Sequence, residues 1–148
     1  MRASDLATDF PTVTLDTPAL EAARLMAGND LPGLIVLGDN GSPCTVLAAT
    51  QVLRMAVPRY IQDDPTLAGV IDEAAADTFV NGLGGRTVRE LLPDETRELP
   101  VVPADATLLE IAALMAQVRI PIVAVLGADK RMTGAITADS LLDRVLAT

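Results

Sequence analysis

Histidine and tryptophan are missing from this chain, and cysteine occurs once, at Cys44. Without an imidazole, no Ser-His-Asp or Cys-His nucleophilic arrangement can form. Zinc sites that use histidine are excluded, and one thiol cannot build a cysteine-only site. An intrachain disulfide is excluded for the same reason, so nothing points to an oxidising compartment. Aromatic residues are scarce: Phe10, Tyr60 and Phe79 are the only three in 148 residues, which makes no stacking platform for bases. Ten Arg and one Lys face twenty acidic side chains, for a net charge of -9. Such a surface repels a phosphate backbone, so nucleic acid is not an expected partner. Apolar runs are short; Ile120–Gly127 falls far below the roughly 18–20 residues that span a bilayer. The opening Met1-Arg2-Ala3-Ser4-Asp5 lacks the apolar run of a signal peptide. The expectation is a soluble cytoplasmic protein with no direct membrane insertion.

What is present is apolar residue in plenty (50%), over about one domain's length. Shifting the sequence by 89 positions sets Asp16–Leu53 on Asp105–Leu142 without a gap, and 13 of the 38 positions are identical. Among them are Asp16/Asp105, Leu20/Leu109, Glu21/Glu110, Met26/Met115, Pro32/Pro121 and Gly38/Gly127. Two unrelated amphipathic helices would share apolar spacing, but not the same Pro and Gly at the same offsets. The chain is read as an internal duplication.

Both copies follow one grammar. Asp16-Thr17-Pro18 offers a helix cap followed by Pro at the first helical position. Leu20, Ala23, Leu25 and Met26 then recur at helical spacing. Leu31-Pro32-Gly33 breaks the helix before the apolar strand Leu34–Leu37. Gly38–Gly41 is turn chemistry, Thr45–Leu47 is a second strand, and a helix resumes at Thr50. The second copy repeats the pattern: an Asp105 cap, helix Leu108–Gln117, a break at Ile120-Pro121, strand Ile122–Leu126, turn Gly127–Lys130, strand Thr133–Ile136, and a helix from Asp139. Uninterrupted apolar strands imply a sheet covered by helices. Neither copy is large enough to bury its faces alone. The predicted architecture is α/β (α+β): two β-α-β-β-α repeats packed pseudo-symmetrically around a shared core.

These motifs resemble the CBS domain, which occurs in tandem as the Bateman module. The resemblance rests on Ala112-Ala113-Leu114-Met115, Arg119-Ile120-Pro121-Ile122-Val123, Gly134-Ala135-Ile136-Thr137 and Leu141-Leu142. Arg86–Leu92 resembles the short helix that precedes each copy, and Arg2–Ala7 is its N-terminal counterpart. The boundaries expected are repeat 1 at 1–57, an inserted helical connection at 58–85, and repeat 2 at 86–148. The connection is longer than the family usually needs. Pro58 should kink the helix that continues through Met55–Ile61. Asp63-Asp64-Pro65 reads as a fresh cap for a helix from Thr66 to about Asn81, ended by Gly82–Gly85. Its stripe of Leu67, Val70, Ile71, Ala74, Phe79 and Val80 reads either as a packing face or as a surface for a partner subunit.

The resemblance implies binding of an adenosine compound (AMP, ADP, ATP or S-adenosylmethionine) in a cleft between copies. The break at Ile120-Pro121 would offer backbone groups to an adenine edge. Thr137, at the start of the last helix, would favour a phosphate or ribose hydroxyl, or else simply cap the helix. Family members usually place an Asp three residues later to hold the ribose; here Ser140 stands there, with Asp139 one residue early. Gly134 marks either a tight strand position or a close approach to ligand. Arg119 is the candidate phosphate contact, against the plainer reading of a surface charge. Lys130 and Arg131 read as solvated turn residues. Copy one has Asp30, Thr45, Ala48 and Gln51 in place of Arg119, Gly134, Thr137 and Ser140. One functional cleft is therefore expected, with Val13 and Leu31-Pro32 contributing from the first copy.

Other motifs carry less. Gly82-Leu83-Gly84-Gly85 lacks the Lys-Ser/Thr of a phosphate loop. Asp63-Asp64 and Asp72-Glu73 are ordinary acidic pairs at helix starts, so no metal is expected. Cys44 has no basic neighbour to depress its pKa and reads as a packed thiol. The expectation is a stand-alone regulatory pair, not an enzyme and with no required cofactor. It would form a homodimer and signal to a separate effector protein, an enzyme or a transporter. The rival is an interaction or dimerisation module whose nucleotide site has degenerated.

Overall fold

The computed structural model of the chain describes residues 1–57 and 75–147. The order of elements is α1 (Ala3–Leu6), β1 (Thr12–Thr14), α2 (Ala19–Gly28), β2 (Gly33–Leu37), β3 (Pro43–Ala48) and α3 (Ala49–Ala56). After residue 74 follow α4 (Ala75–Leu83), α5 (Val88–Leu91), β4 (Val101–Pro103), α6 (Leu108–Val118), β5 (Ile122–Leu126), β6 (Met132–Thr137) and α7 (Ala138–Leu146). Each repeat thus reads β-α-β-β-α, and each contributes a three-stranded sheet, β1-β2-β3 and β4-β5-β6. In the second sheet β4 runs parallel to β5, and β5 pairs antiparallel with β6. The two apolar strands bury their first four residues and half-bury the fifth, in the same pattern. Burial on both faces is why they need no polar alternation.

The helix starts differ from the sequence expectation. Pro18 takes the N-cap position of α2, not the first helical one, and Asp16 caps nothing. The reason is that the carbonyl of Arg86 accepts the N–H of Ala19 at 2.9 Å, so a distant segment satisfies the amide. Asp16 instead lies 3.5 Å from Arg89, an exposed pair of little energetic weight. In the second repeat the cap is Thr107, whose hydroxyl accepts from the N–H of Glu110 at 3.2 Å, not Asp105. The helix ends do agree between repeats: Asp30 and Arg119, 89 positions apart, both adopt left-handed φ, 51° and 58°. An αL residue after the last turn is a common helix stop, though Gly is the usual choice.

The helix at the connection runs to Leu83, with Gly82 inside it rather than ending it. A Cβ at Gly82 would stand 2.9 Å from the carbonyl oxygen of Ala56, so the missing side chain lets α4 lie against α3. Gly85, at φ +75°, makes the turn that follows. Pro58, Asp63-Asp64-Pro65, Asp72-Glu73 and the Leu67, Val70, Ile71 and Ala74 part of the stripe lie outside the described residues. Within them, Phe79 is half-buried and Val80 exposed.

The chain divides into two compact units that do not follow the repeat boundaries. One comprises residues 1–12, 37–45 and 97–148; the other comprises 13–36 and 46–96. In the first unit α1 docks on the second repeat. The N–H of Ala3 donates to Ala106 O at 2.8 Å, and Arg2 Nη1 donates to Asp105 O at 3.0 Å. Ala3 and Leu6 join Val102, Ile111, Met115, Val123, Val125, Ile136 and Leu141 in one core. In the second unit the same exchange occurs: the N–H of Val88 donates to Thr17 O at 2.9 Å, seating α5 on the first repeat.

Candidate functional site

Ile122 lies opposite Thr137 in the sheet register, and the carbonyl of Pro121 accepts the N–H of Ala138 at 2.8 Å. Those two contacts bring Arg119-Ile120-Pro121 together with Thr137, Asp139 and Ser140 at one strand–helix junction. Six of the ten residues singled out from sequence therefore converge. Thr137 caps α7, its hydroxyl accepting from the N–H of Ser140 at 3.2 Å. The Ser140 hydroxyl in turn donates to the carbonyl of Thr137 at 3.0 Å. Arg119 is exposed, and no ion-pair partner faces it among the described residues. Asp139 is exposed one turn position into the helix, where a carboxylate suits the positive end of the dipole. Thr137→Ala should lower stability by about 0.5–2 kcal/mol, the usual cost of deleting a cap. Thermal unfolding with no measurable loss would mean that the hydroxyl is not holding the helix start.

Gly134 sits apart from that junction, opposite Val125 in the sheet. A Cβ there would stand 2.9 Å from Thr8 O and 3.1 Å from the Ala7 side chain. Thr8 and Ala135 exchange both backbone hydrogen bonds, at 2.9 and 3.0 Å. The close backbone approach that this glycine permits is made by the chain's own N-terminal segment. Gly134 also lines a cavity of about 720 Å³ within the same unit.

Val13, Leu31 and Pro32 belong to the other unit. Val13 is buried, and the exposed Pro32 gives its carbonyl to the N–H of Ala49 at 2.9 Å, as Pro121 does for Ala138. Leu31 lines an apolar cavity of about 480 Å³ with Met26, Val52 and Phe79. This junction lacks the hydroxyls of its counterpart: the N–H of Ala48 donates to Gln51 Oε1 at 2.8 Å instead. Asp30 replaces Arg119 there, so the first repeat offers a phosphate no cation at this position.

Cys44 is half-buried in β3. Burial pushes its thiol above the ordinary value; a backbone hydrogen bond at Thr45 opposes that, and the Asp39 carboxylate adds to it. A thiol shifted this way is protonated at neutral pH and weakly nucleophilic, which suits a packed role. Among the described residues, no three metal-ligating side chains converge, and no helix is long and apolar enough to cross a membrane.

Sequence reasoning passed over Asp9, Phe10 and Asp39, and set Arg131 aside as a solvated turn residue. All four line the 720 Å³ cavity. The available signal was the stretch over which the repeats differ: identity breaks off after Gly38/Gly127 and resumes only at Ala49/Ala138, and Asp39 and Arg131 fall in between.

The CBS domain family model matches residues 3–55 and 88–147 of this chain. A solved CBS domain-containing protein of unknown function from Kribbella flavida is 53% identical, with 99% of each chain covered and a TM-score of 0.91. The CBS-pair protein CBSX2 from Arabidopsis thaliana is 19% identical over 99% of this chain and 94% of its own, with a TM-score of 0.73. CBSX2 in complex with AMP is 20% identical over 99% and 96%, with a TM-score of 0.66. At these lower identities the likeness concerns the fold. No functionally curated protein matches by sequence.

Proposed function

The chain belongs to the CBS domain family, and from that premise we propose that it is a regulatory CBS pair sensing an adenosine-containing ligand. The observation that carries this reading is the junction where Arg119-Ile120-Pro121 meets Thr137, Asp139 and Ser140. It combines backbone edges at a proline break, a helix start and an exposed guanidinium, which suit an adenine edge, a ribose and a phosphate in turn. CBSX2, of the same fold, has been crystallised with AMP. The ligand acts by binding one arrangement of the repeats better than another, so that occupancy shifts their packing. The output passes to an effector protein, an enzyme or a transporter.

A homodimer fits the same proposal. Leu142, Val145 and Leu146 recur at helical spacing on α7 and are 56%, 44% and 78% exposed, and Leu109 on α6 is 77% exposed. An apolar stripe of this kind is the ordinary signature of a helix partner.

Melting the full chain with AMP, ADP, ATP and S-adenosylmethionine in turn tests the sensor. Ligand at about 100 times its dissociation constant stabilises by about 2.7 kcal/mol, a rise of several degrees in Tm. Arg119→Ala and Thr137→Ala should shrink the rise, and Ala48→Gly in the first repeat should leave it intact. No rise with any of the four at millimolar concentration sinks the sensor. One observation favours the second reading, an interaction module that has lost its ligand: Thr137 and Ser140 spend their hydroxyls on each other's backbone. That reading expects no rise, with the dimer unaffected by Arg119→Ala.

A further inference from the structure

The 720 Å³ cavity falls within one compact unit, and its volume is in the range of small-molecule pockets, about 300–1,000 Å³. Three separate segments each bring one charge to it: Asp9 from the N-terminal segment, Asp39 from the β2–β3 turn and Arg131 from the β5–β6 turn. No ion pair joins any of the three to another residue among those described. Both turns are fixed in the same way. Asn40 accepts from the N–H of Ser42, and Asp129 accepts from the N–H of Arg131, each at 3.1 Å, ahead of residues with left-handed φ at Gly41 and Lys130. Side chains that turn the turns themselves rigid hold Asp39 and Arg131 on a prepared frame. Phe10, Leu37 and Met132, all half-buried, supply an apolar wall.

This chemistry selects its ligand by exclusion. Two carboxylates outnumber one guanidinium, so phosphate-bearing molecules are repelled here. A simple cation would leave Arg131 unsatisfied and be repelled by it in turn. Only a molecule carrying both poles and an apolar body uses all three charges and the wall. From this we infer that the cavity is a second binding site, separate from the junction at Thr137, for a small zwitterion of the free α-amino acid class. Its ammonium goes to Asp9 and Asp39, its carboxylate to Arg131, and its side chain to Phe10, Leu37 and Met132.

Titration calorimetry on the full chain tests this, with L-leucine, L-phenylalanine and L-lysine as probes. Two further probes each keep one pole of leucine: isoamylamine, which lacks the carboxylate, and 4-methylpentanoate, which lacks the amine. The expected result is binding of at least one amino acid, with the one-pole analogues of leucine weaker by about tenfold or more. Arg131→Gln and Asp39→Asn alter exposed turn side chains and should each weaken the amino acid by about tenfold. The same variants should leave any Tm rise with AMP unchanged, which separates this site from the nucleotide site. No heat from any amino acid at about 10 mM overturns the inference. So does leucine binding that its one-pole analogues match, or that neither variant weakens.

Discussion

Ile136→Ala should cost about 2–5 kcal/mol of folding free energy, the range for emptying a fully enclosed aliphatic site. Ile136 is completely buried on β6, opposite Val123, in the core that also holds Leu6, Ile111 and Leu141. The expense has two parts, lost transfer of the deleted methyls from water and a hole that the rigid sheet cannot close. Urea unfolding should show a lower midpoint with an unchanged slope, the mark of a stability change without a change in exposed surface. A loss under about 1 kcal/mol would mean that the neighbouring side chains collapse into the space and that this core is loosely packed.

The second large effect comes from adding atoms rather than removing them. Gly134→Val places a branched side chain where Thr8 O lies 2.9 Å from the position of a bare Cβ. The backbone atoms of Thr8 cannot rotate away, because both of its bonds to Ala135 fix them. Either the new side chain is forced into strain or the N-terminal segment peels off and forfeits those bonds. Overpacking costs about 1–3 kcal/mol, and losing the two hydrogen bonds costs about the same at about 0.5–1.5 kcal/mol each, so a loss of about 1–3 kcal/mol is expected by either route. Hydrogen exchange gives a sharper test than melting alone. The amides of Ala3 and Thr8 should lose protection while those of β5 keep theirs. Equal protection in the variant and the parent chain would show that the segment has room to yield.

Much of this fold was legible because the repeat prints the same instructions twice. The strand Ile122–Leu126 emerged with the bounds read from sequence, since Pro121 and Gly127 punctuate it on both sides. The helix caps were misread because the sequence offers Asp16 and Asp105 as obvious local acceptors. The structure satisfies those starts otherwise, through the distant Arg86 O for α2 and through the neighbouring Thr107 hydroxyl for α6. Local chemistry proposes a cap, and a partner 67 positions further along the chain can dispose of the need for it. Gly134 shows the same limit at the site. A glycine in a strand announces that something comes close, but the sequence does not say whether a ligand or another stretch of chain does so. The convergence of Arg119-Ile120-Pro121 with Thr137, Asp139 and Ser140 was readable, since a proline break and a helix start flank one antiparallel pair. The charged cavity was not, because its three segments meet only through folding.

The seating of α1 on the second repeat also sets a clock. Arg2 reaches Asp105 across 103 positions of sequence. A ribosome adding about 5–20 residues per second needs roughly 5–20 s to make that stretch, and for that interval Ala3 and Leu6 have no core to enter. The first repeat is complete much earlier but must likewise wait for α5 to emerge. Duplication made two copies of one gene segment, yet neither copy matures on its own schedule: the segment of α1, made before either repeat, is seated only after the second.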